Sequence, residues 1–123
     1  MEAKATHRFI PSSPRKMRFV IDLIRNKTVD KAIEILHFDP HHASKDAEKV
    51  LRSAVSNLYN KDTSIKHELS ELLVKEVFVN QGPTMKRMLP APMGRAYRMR
   101  KRSNHLTIVV ATKENKVKEV INQ

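Results

Sequence analysis

Residues 72–110 read LLVKEVFVNQGPTMKRMLPAPMGRAYRMRKRSNHLTIVV, and this stretch decides the fold. Its two ends, 72–79 and 106–110, are rich in β-branched and aromatic residues and are too short for long helices, so each is predicted to be a strand. Glycine and proline concentrate where the backbone bends, and both glycines of the chain and three of its prolines lie between these ends. The interval is therefore predicted to be a long hairpin with irregular regions at 82–83 and 90–94.

The same interval carries most of the charge. The chain has 24 Lys and Arg against 13 Asp and Glu, a net charge of +11. Residues 77–113 contribute +8 without one acidic residue, 1–18 contribute +4, 19–76 contribute −1, and 114–123 are neutral. Like charges repel unless an anion neutralises them, so the two basic segments predict a polyanionic partner.

The hairpin is predicted either to project from the rest of the chain into a partner or to be disordered in isolation. Eleven residues in each direction reach about 35 Å at ~3.3 Å per residue, whereas the radius of gyration of the body is expected to be ~14 Å. Burying its cations without acidic partners would cost several kcal/mol each. Alternation places three arginines on one face of the returning strand: Arg98, Arg100 and Arg102.

Methionine is concentrated in the hairpin. Four of the six methionines lie there, although a thin hairpin has little core for them to fill. These side chains are therefore predicted to contact another surface. They are Met85, Met88, Met93 and Met99.

Three amphipathic helices are predicted upstream. Apolar residues recur at helical spacing along each of them, beginning at Met17, Val29 and Ala43. The residues that signal the starts are, in chain order, Ser13-Pro14, Thr28 and Asp39-Pro40. The third helix is predicted to reach about residue 60. It is also the longest.

A short strand from Ala3 to Ile10 precedes the helices and ends at Pro11. The prediction is an α+β fold in which three helices pack on a small antiparallel three-stranded sheet, with a long projecting basic β-hairpin. One domain is expected for 1–123, with a globular body at 1–81 and 105–113. The hairpin occupies 82–104, and 114–123 form a tail without a motif.

The composition argues against several classes of protein. Without cysteine there is no disulfide framework, no thiolate zinc site and no cysteine nucleophile. The longest apolar run, Ile108 to Ala111, is far short of the ~18 residues that span a membrane. Neither a membrane partner nor a secretory signal is expected. No glycine-rich nucleotide-binding motif is present, so no cofactor is predicted.

The histidines allow two kinds of site. Three of them flank Asp39, but they straddle a predicted helix break and no second ligand set follows, so surface histidines are favoured over a metal site. These three are His37, His41 and His42. A pair of His7 and His105 would be the acid and base of an RNA-cleaving enzyme, but an RNA or structural contact is favoured because no serine or carboxylate constellation accompanies them.

Three runs in and around the hairpin carry a family resemblance: VNQGPTMKRMLP at 79–90, GRA at 94–96 and KRSNHLTIVV at 101–110. With them, the order of elements over residues 3–112 resembles the bacterial-type large-subunit ribosomal protein family numbered twenty-two. The resemblance implies a non-enzymatic structural constituent of the large ribosomal subunit in the cytoplasm. It also implies binding to large-subunit rRNA and to neighbouring ribosomal proteins, and a role in subunit assembly.

In that family the hairpin is threaded through rRNA and its tip forms part of the peptide exit-tunnel wall, where it meets the nascent peptide. Carried onto this chain, the RNA-facing residues are Lys86, Arg87, Arg95, Lys101, Arg102 and His105. The charge distribution adds Lys4, Arg8, Arg15, Lys16, Arg18, Arg98 and Arg100. The expected tip consists of Met88, Leu89, Pro90, Ala91, Pro92, Met93 and Gly94.

The tip departs from the family pattern. Ala91 and Met93 stand where many bacterial relatives carry arginine and lysine, and Pro92 stands where they carry alanine. The tip of this chain is therefore less cationic and more apolar. Neither the tunnel electrostatics nor the macrolide response of relatives is carried over to it.

A second hypothesis comes from the charge and the prolines alone. A basic β-ribbon with prolines at its tip is also the device by which architectural proteins wedge into the minor groove of DNA. Gel shifts against duplex DNA and structured RNA discriminate the two, and only the architectural protein bends the duplex.

Overall fold

A computed structural model describes residues 2–61, 68–90 and 92–112. Three α-helices and five strands lie in these residues, and they confirm the predicted α+β class. In chain order they are β1 (Glu2–Ile10), α1 (Pro14–Asp22), α2 (Val29–Phe38), α3 (Ala43–Lys61), β2 (Leu72–Gln81), β3 (Met85–Pro90), β4 (Ala96–Lys101) and β5 (Asn104–Thr112). The tail 114–123 lies outside the described residues.

The body is built on an antiparallel sheet with the strand order β1-β5-β2. The predicted pairing of the two ends of the 72–110 stretch is confirmed, with Val79 opposite Leu106. On the other side of β5, Ala3 lies opposite Val110. The central strand is the most apolar of the three, as expected for a strand that has neighbours on both edges.

The helices cover one face of this sheet. Helix α3 packs against β1 and β5, and both α1 and α2 pack against α3. Met17, Leu51 and Ile108 are fully buried where these layers meet. Each side chain of this size stabilises the fold by about 1.5–3 kcal/mol when it is removed from water.

Helices α1 and α2 begin where the sequence predicts, but the predicted start of α3 at Asp39-Pro40 is wrong. Helix α3 begins at Ala43. Asp39 instead follows α2 with an extended backbone, and its Oδ1 accepts the backbone N–H of His41 at 2.9 Å. The Ser44 hydroxyl donates to the carbonyls of Asp39 and His41 at 3.2 and 2.5 Å. The aspartate therefore orders the connection rather than starting the next helix.

The Asp39 carboxylate is almost wholly buried, since only 5% of its side chain is exposed. Burial alone would raise the pKa of this carboxyl. Hydrogen bonds from the backbone N–H and the imidazole of His41 outweigh that effect, so the pKa of Asp39 lies below the ordinary aspartate value. The charged form is therefore part of the folded body.

Beyond the body the chain continues as a projecting ribbon, residues 82–103, which we call the arm. Strands β3 and β4 form a separate two-stranded sheet, with Met85 opposite Lys101 and Pro90 opposite Ala96. At the tip, Met93 and Gly94 both have a left-handed backbone, with φ of 65° and 69°. The predicted hairpin is confirmed, and none of the described residues of the arm is buried.

The arm is fixed at its root. The Gly82 N–H donates to the Ser103 carbonyl at 2.9 Å, and the Ser103 hydroxyl donates to the Pro83 carbonyl at 2.7 Å. A Cβ at Gly82 would stand 2.5 Å from that hydroxyl, so a larger residue would displace the hydroxyl from its bond with the Pro83 carbonyl. The next residue, Asn104, was expected in the hairpin but is fully buried as the first residue of β5, and its Nδ2 donates to the carbonyl and hydroxyl of Ser12.

Candidate nucleic-acid interface

The register of the arm sorts its side chains onto two faces. Residues paired across an antiparallel ribbon share a face, and successive residues alternate between faces. Lys86 is paired with Arg100, and Met88 with Arg98, so three cations stand on one side. We call this the cationic face, and its members are Lys86, Met88, Pro90, Ala96, Arg98 and Arg100.

The opposite face has a different character. Its three pairs are Met85 with Lys101, Arg87 with Met99, and Leu89 with Tyr97. Four of these six side chains are apolar or aromatic. We call this the apolar face, and its members are Met85, Arg87, Leu89, Tyr97, Met99 and Lys101. Three arginines are predicted to share one face of the returning strand. Arg98 and Arg100 both lie on the cationic face, whereas Arg102 follows the end of β4.

The root of the arm meets the start of α1 in an open hollow of about 450 Å³. Helix α1 begins here because Ser13 is its N-cap and Pro14 its first residue, as the sequence predicts. The hollow joins two groups of cations that are far apart in sequence, and none of its lining residues is acidic. The lining residues are Ser12, Ser13, Arg15, Arg100, Lys101 and Arg102.

The basic residues in and just after α1 divide into two roles. Arg15 and Lys16 are exposed near the hollow. Arg18 donates from its guanidinium to the Val79 carbonyl at 3.1 Å, and Arg25 donates to the Val77 carbonyl at 3.0 Å. These two side chains satisfy backbone acceptors along the outer edge of β2, which would otherwise be open to pairing with another strand. Arg18 is thus held against the body.

The leading strand presents two further predicted RNA contacts, Lys4 and Arg8, and both are exposed. Lys4 lies opposite Val109, on the sheet face away from the helices, since its neighbours Ala3 and Ala5 are buried beneath α3. The Lys4 carbonyl accepts the Asn57 side chain at 3.0 Å, which ties this edge strand to α3. The strand is therefore a fixed support for these cations.

His105 is engaged by the body. Its Nδ1 accepts the backbone N–H of Phe9 at 3.0 Å, and the two rings meet edge to face with centroids 4.9 Å apart. Phe9 has a left-handed φ of 58°, in the irregularity between His7 and Ile10 where β1 leaves its register with β5. Because Nδ1 is the acceptor in this bond, the neutral ring carries its proton on Nε2, which is the nitrogen that can donate to a partner.

The two histidines considered as an acid–base pair stand on opposite faces of the sheet. His7 lies opposite Leu106, and His105 is the neighbour of Leu106 along β5, so the two side chains point away from each other. In the described part of the chain, no group of three His, Asp or Glu side chains converges as metal ligands. The histidine nearest Asp39, His41, is hydrogen-bonded to that carboxylate.

The tip carries no charge between Arg87 and Arg95. Met93 is 94% exposed, and Pro92 and Gly94 are exposed beside it. Met88 and Leu89 belong to strand β3 rather than to the turn. Ala91 lies outside the described residues.

Sequence reasoning missed the apolar face. The signal was present, because apolar residues recur at 85, 89, 97 and 99 and strand residues of one parity share a face. Assigning both strands to one face also required their register, which only the structure supplies.

A family model described as Ribosomal protein L22p/L17e matches residues 5–111. The chain belongs to this family. It is 55% identical over 112 residues to the large ribosomal subunit protein uL22 of Chlorobium phaeobacteroides strain BS1, covering 91% of this chain and 96% of that protein. It is also 55% identical over 117 residues to the protein of the same name from Chlorobaculum tepidum, covering 95% of this chain and 98% of that protein.

As a member of the L22p/L17e family, the chain is a structural protein of the large ribosomal subunit and not an enzyme. The expected location, the ribosome of the bacterial cytoplasm, follows from the same membership. Separately, none of the helices in the described residues has the length and apolar content needed to cross a membrane.

Proposed function

We propose that this chain binds large-subunit rRNA through the arm and the start of α1, supports subunit assembly, and places the arm tip in the wall of the peptide exit tunnel. Contacts with neighbouring ribosomal proteins and with the nascent peptide belong to the same proposal.

The absence of acidic residues from an exposed arm carries the proposal. Residues 82–103 hold seven Lys and Arg and no Asp or Glu, and none of the described residues among them is buried. Seven cations on a narrow ribbon without an acidic residue repel one another, and a polyanion removes that repulsion. Arginine suits rRNA because its guanidinium binds phosphate in a bidentate manner and stacks on bases.

The hollow at the root supports a contact that involves both parts of the molecule. Arg15 from the body and Arg100 from the arm line the same open space without a neighbouring carboxylate. One phosphate bound there would fix the direction of the arm relative to α1. RNA segments distant in sequence would then be held against one rigid support, which is the contribution to assembly that we propose.

Salt dependence tests the RNA-binding part. With about seven phosphate contacts, log K is expected to fall with log salt with a slope of roughly −5 to −6. The measurement is filter binding of the full chain to a large-subunit rRNA transcript over a series of salt concentrations. A slope near −1 contradicts the proposal.

The tunnel part is tested at the tip. A photo-crosslinking side chain at position 93 is expected to react with a stalled nascent peptide in assembled ribosomes. The matched control carries the same group at position 38, because Phe38 is 81% exposed but lies on the body. Crosslinks from position 38 alone, or from neither position, would place the tip elsewhere.

A further inference from the structure

Among the described residues, no helix and no further sheet layer packs on the apolar face of the arm. Tyr97 is 59% exposed and its cross-strand partner Leu89 is 46% exposed. A two-stranded ribbon has no layer behind it, so these side chains cannot share the body's core. Apolar groups gathered on one exposed face mark a surface that a partner covers.

The charges around this face indicate the chemistry of that partner. Arg87 and Lys101 stand on the apolar face itself, and the cationic face begins one residue away along each strand. Tyr97 and Arg98, for example, emerge on opposite faces about 3.3 Å apart along β4. The partner must therefore present anions and flat apolar surface alternately and at short range, over the whole ribbon.

An RNA strand meets this requirement in every nucleotide, since each carries one phosphate and one base. A protein partner would need acidic and apolar side chains interleaved along about 20 Å of ribbon. Paired RNA does not fit either, because bases within a duplex are stacked on one another and leave no face for an aromatic ring. Bases that are unpaired do offer such a face.

We propose that the apolar face receives unpaired rRNA bases, with Tyr97 as the stacking platform and Leu89 and Met99 beside it, while the cationic face holds the phosphates. This inference rests on the RNA binding proposed above, and it assigns the bases and the phosphates of the RNA to separate faces of the arm. Tyr97 then contributes affinity that is independent of salt, and Arg98 contributes affinity that salt weakens.

The first test compares neighbouring residues of β4 in the full chain. Tyr97→Ala is expected to weaken binding to the large-subunit rRNA transcript by about 5- to 150-fold, the range for loss of one stacked base, with the salt slope unchanged. Tyr97→Phe keeps the ring and is expected to keep the affinity. Arg98→Gln is expected to make the slope shallower by about 0.7–0.9. Wild-type affinity for Tyr97→Ala overturns the inference.

The second test observes the ring directly. The chain has two tyrosines, and Tyr59 packs against the core of the body, so fluorine NMR of protein labelled with 3-fluorotyrosine contains its own reference signal. The Tyr97 signal is expected to shift with an oligoadenylate of about twelve nucleotides. It should not shift with the same strand paired to oligouridylate. Equal shifts with both probes, or none with either, overturn the inference.

The two proposals fail in different ways. If the wild-type chain shows a salt slope near −1, the RNA-binding proposal fails. If the wild-type slope is steep but Tyr97→Ala binds the transcript normally, the base-stacking inference alone fails. In that case, weaker retention of a neighbouring protein in subunits reconstituted with Tyr97→Ala would assign the apolar face to a protein partner instead.

Discussion

The body and the arm are both built from antiparallel strand pairs, but they are stabilised differently. The pair β2–β5 is covered by a helical layer, and its inward side chains, such as Val77 and Ile108, are buried. In the part of the chain that the structure describes, no such layer covers the pair β3–β4, and none of the residues in these two strands is buried. Strand pairing alone therefore gives the arm its shape. The helices stabilise the sheet of the body by covering it, and a partner must supply the equivalent cover for the arm.

The largest expected effect is on the core of the body. Ile108→Ala removes a fully buried side chain from the central strand and is expected to lower the free energy of unfolding by about 2–5 kcal/mol. Urea unfolding followed by circular dichroism measures it. Tyr97→Ala is the matched change on the arm and is expected to stay within about 0.5 kcal/mol. Comparable losses in the two variants would mean that the arm shares the core.

The boundary between the two regions gives the next effect. Asn104 is fully buried, and its Nδ2 donates to the carbonyl and hydroxyl of Ser12 at 2.9 and 2.8 Å. Asn104→Ala leaves these acceptors without their donor and is expected to cost about 1–3 kcal/mol in the same urea experiment. Asn80→Ala, at an exposed position near the end of β2, is the control. If the free energy of unfolding of Asn104→Ala equals that of the wild type, the root of the arm does not depend on this contact.

Removing the arm is expected to have a still smaller effect on stability. Replacing residues 83–102 with Asn-Gly leaves Gly82 and Ser103 to close a two-residue hairpin. The body should retain its helical circular dichroism, with unfolding changed by about 1 kcal/mol or less, because loop-closure entropy varies slowly with length. Binding to the rRNA transcript should fall steeply. An unfolded product would show that the arm is part of the core.

The smallest effect concerns acid. The pKa of Asp39 is lowered in the folded chain, so its ionised form contributes stability above the pKa of a free aspartate. That stability is lost as the pH falls through the lowered folded value. Asp39→Asn is therefore expected to reduce the loss of stability in acid, measured by urea unfolding at a series of pH values.

The Asn-Gly replacement of the arm is the control for the acid effect. The arm contains no Asp or Glu, so its removal should leave the decline of body stability in acid unchanged. If the replacement alters that decline as much as Asp39→Asn does, the charges of the arm reach the body. The stability of the body would then depend on the charges of the arm as well as on its own.

Local patterns were sufficient to predict much of the fold. Apolar spacing and the Ser13-Pro14 signal gave the start of α1, and the glycines and prolines between 82 and 94 gave the hairpin. The same kind of signal failed at Asp39-Pro40. Asp39 accepts the backbone N–H of His41, as an N-cap residue does, but the residues that follow do not continue as a helix and α3 begins only at Ala43.

The parts of the site that the sequence did not predict all depend on contacts between distant residues. The guanidinium of Arg18 donates to a carbonyl 61 residues away in the sequence. The sequence predicts a surface cation at this position, whereas in the fold its side chain satisfies a backbone acceptor at the edge of the sheet. The ring of His105 is held by Phe9 from the other end of the chain. The two faces of the arm depend on register, which is set by where the chain turns at its tip.

The position of β5 has a consequence for the order in which the chain is made. β5 is the last strand to be synthesised among those described, yet it lies between β1 and β2 and is the strand with which both of them pair. While the ribosome is still translating the arm, β1 and β2 have no partner in this sheet, and the basic segment leaves the ribosome ahead of the strand that completes the fold. Completion of the sheet must therefore wait until β5 has left the ribosome, when the arm is already available to RNA.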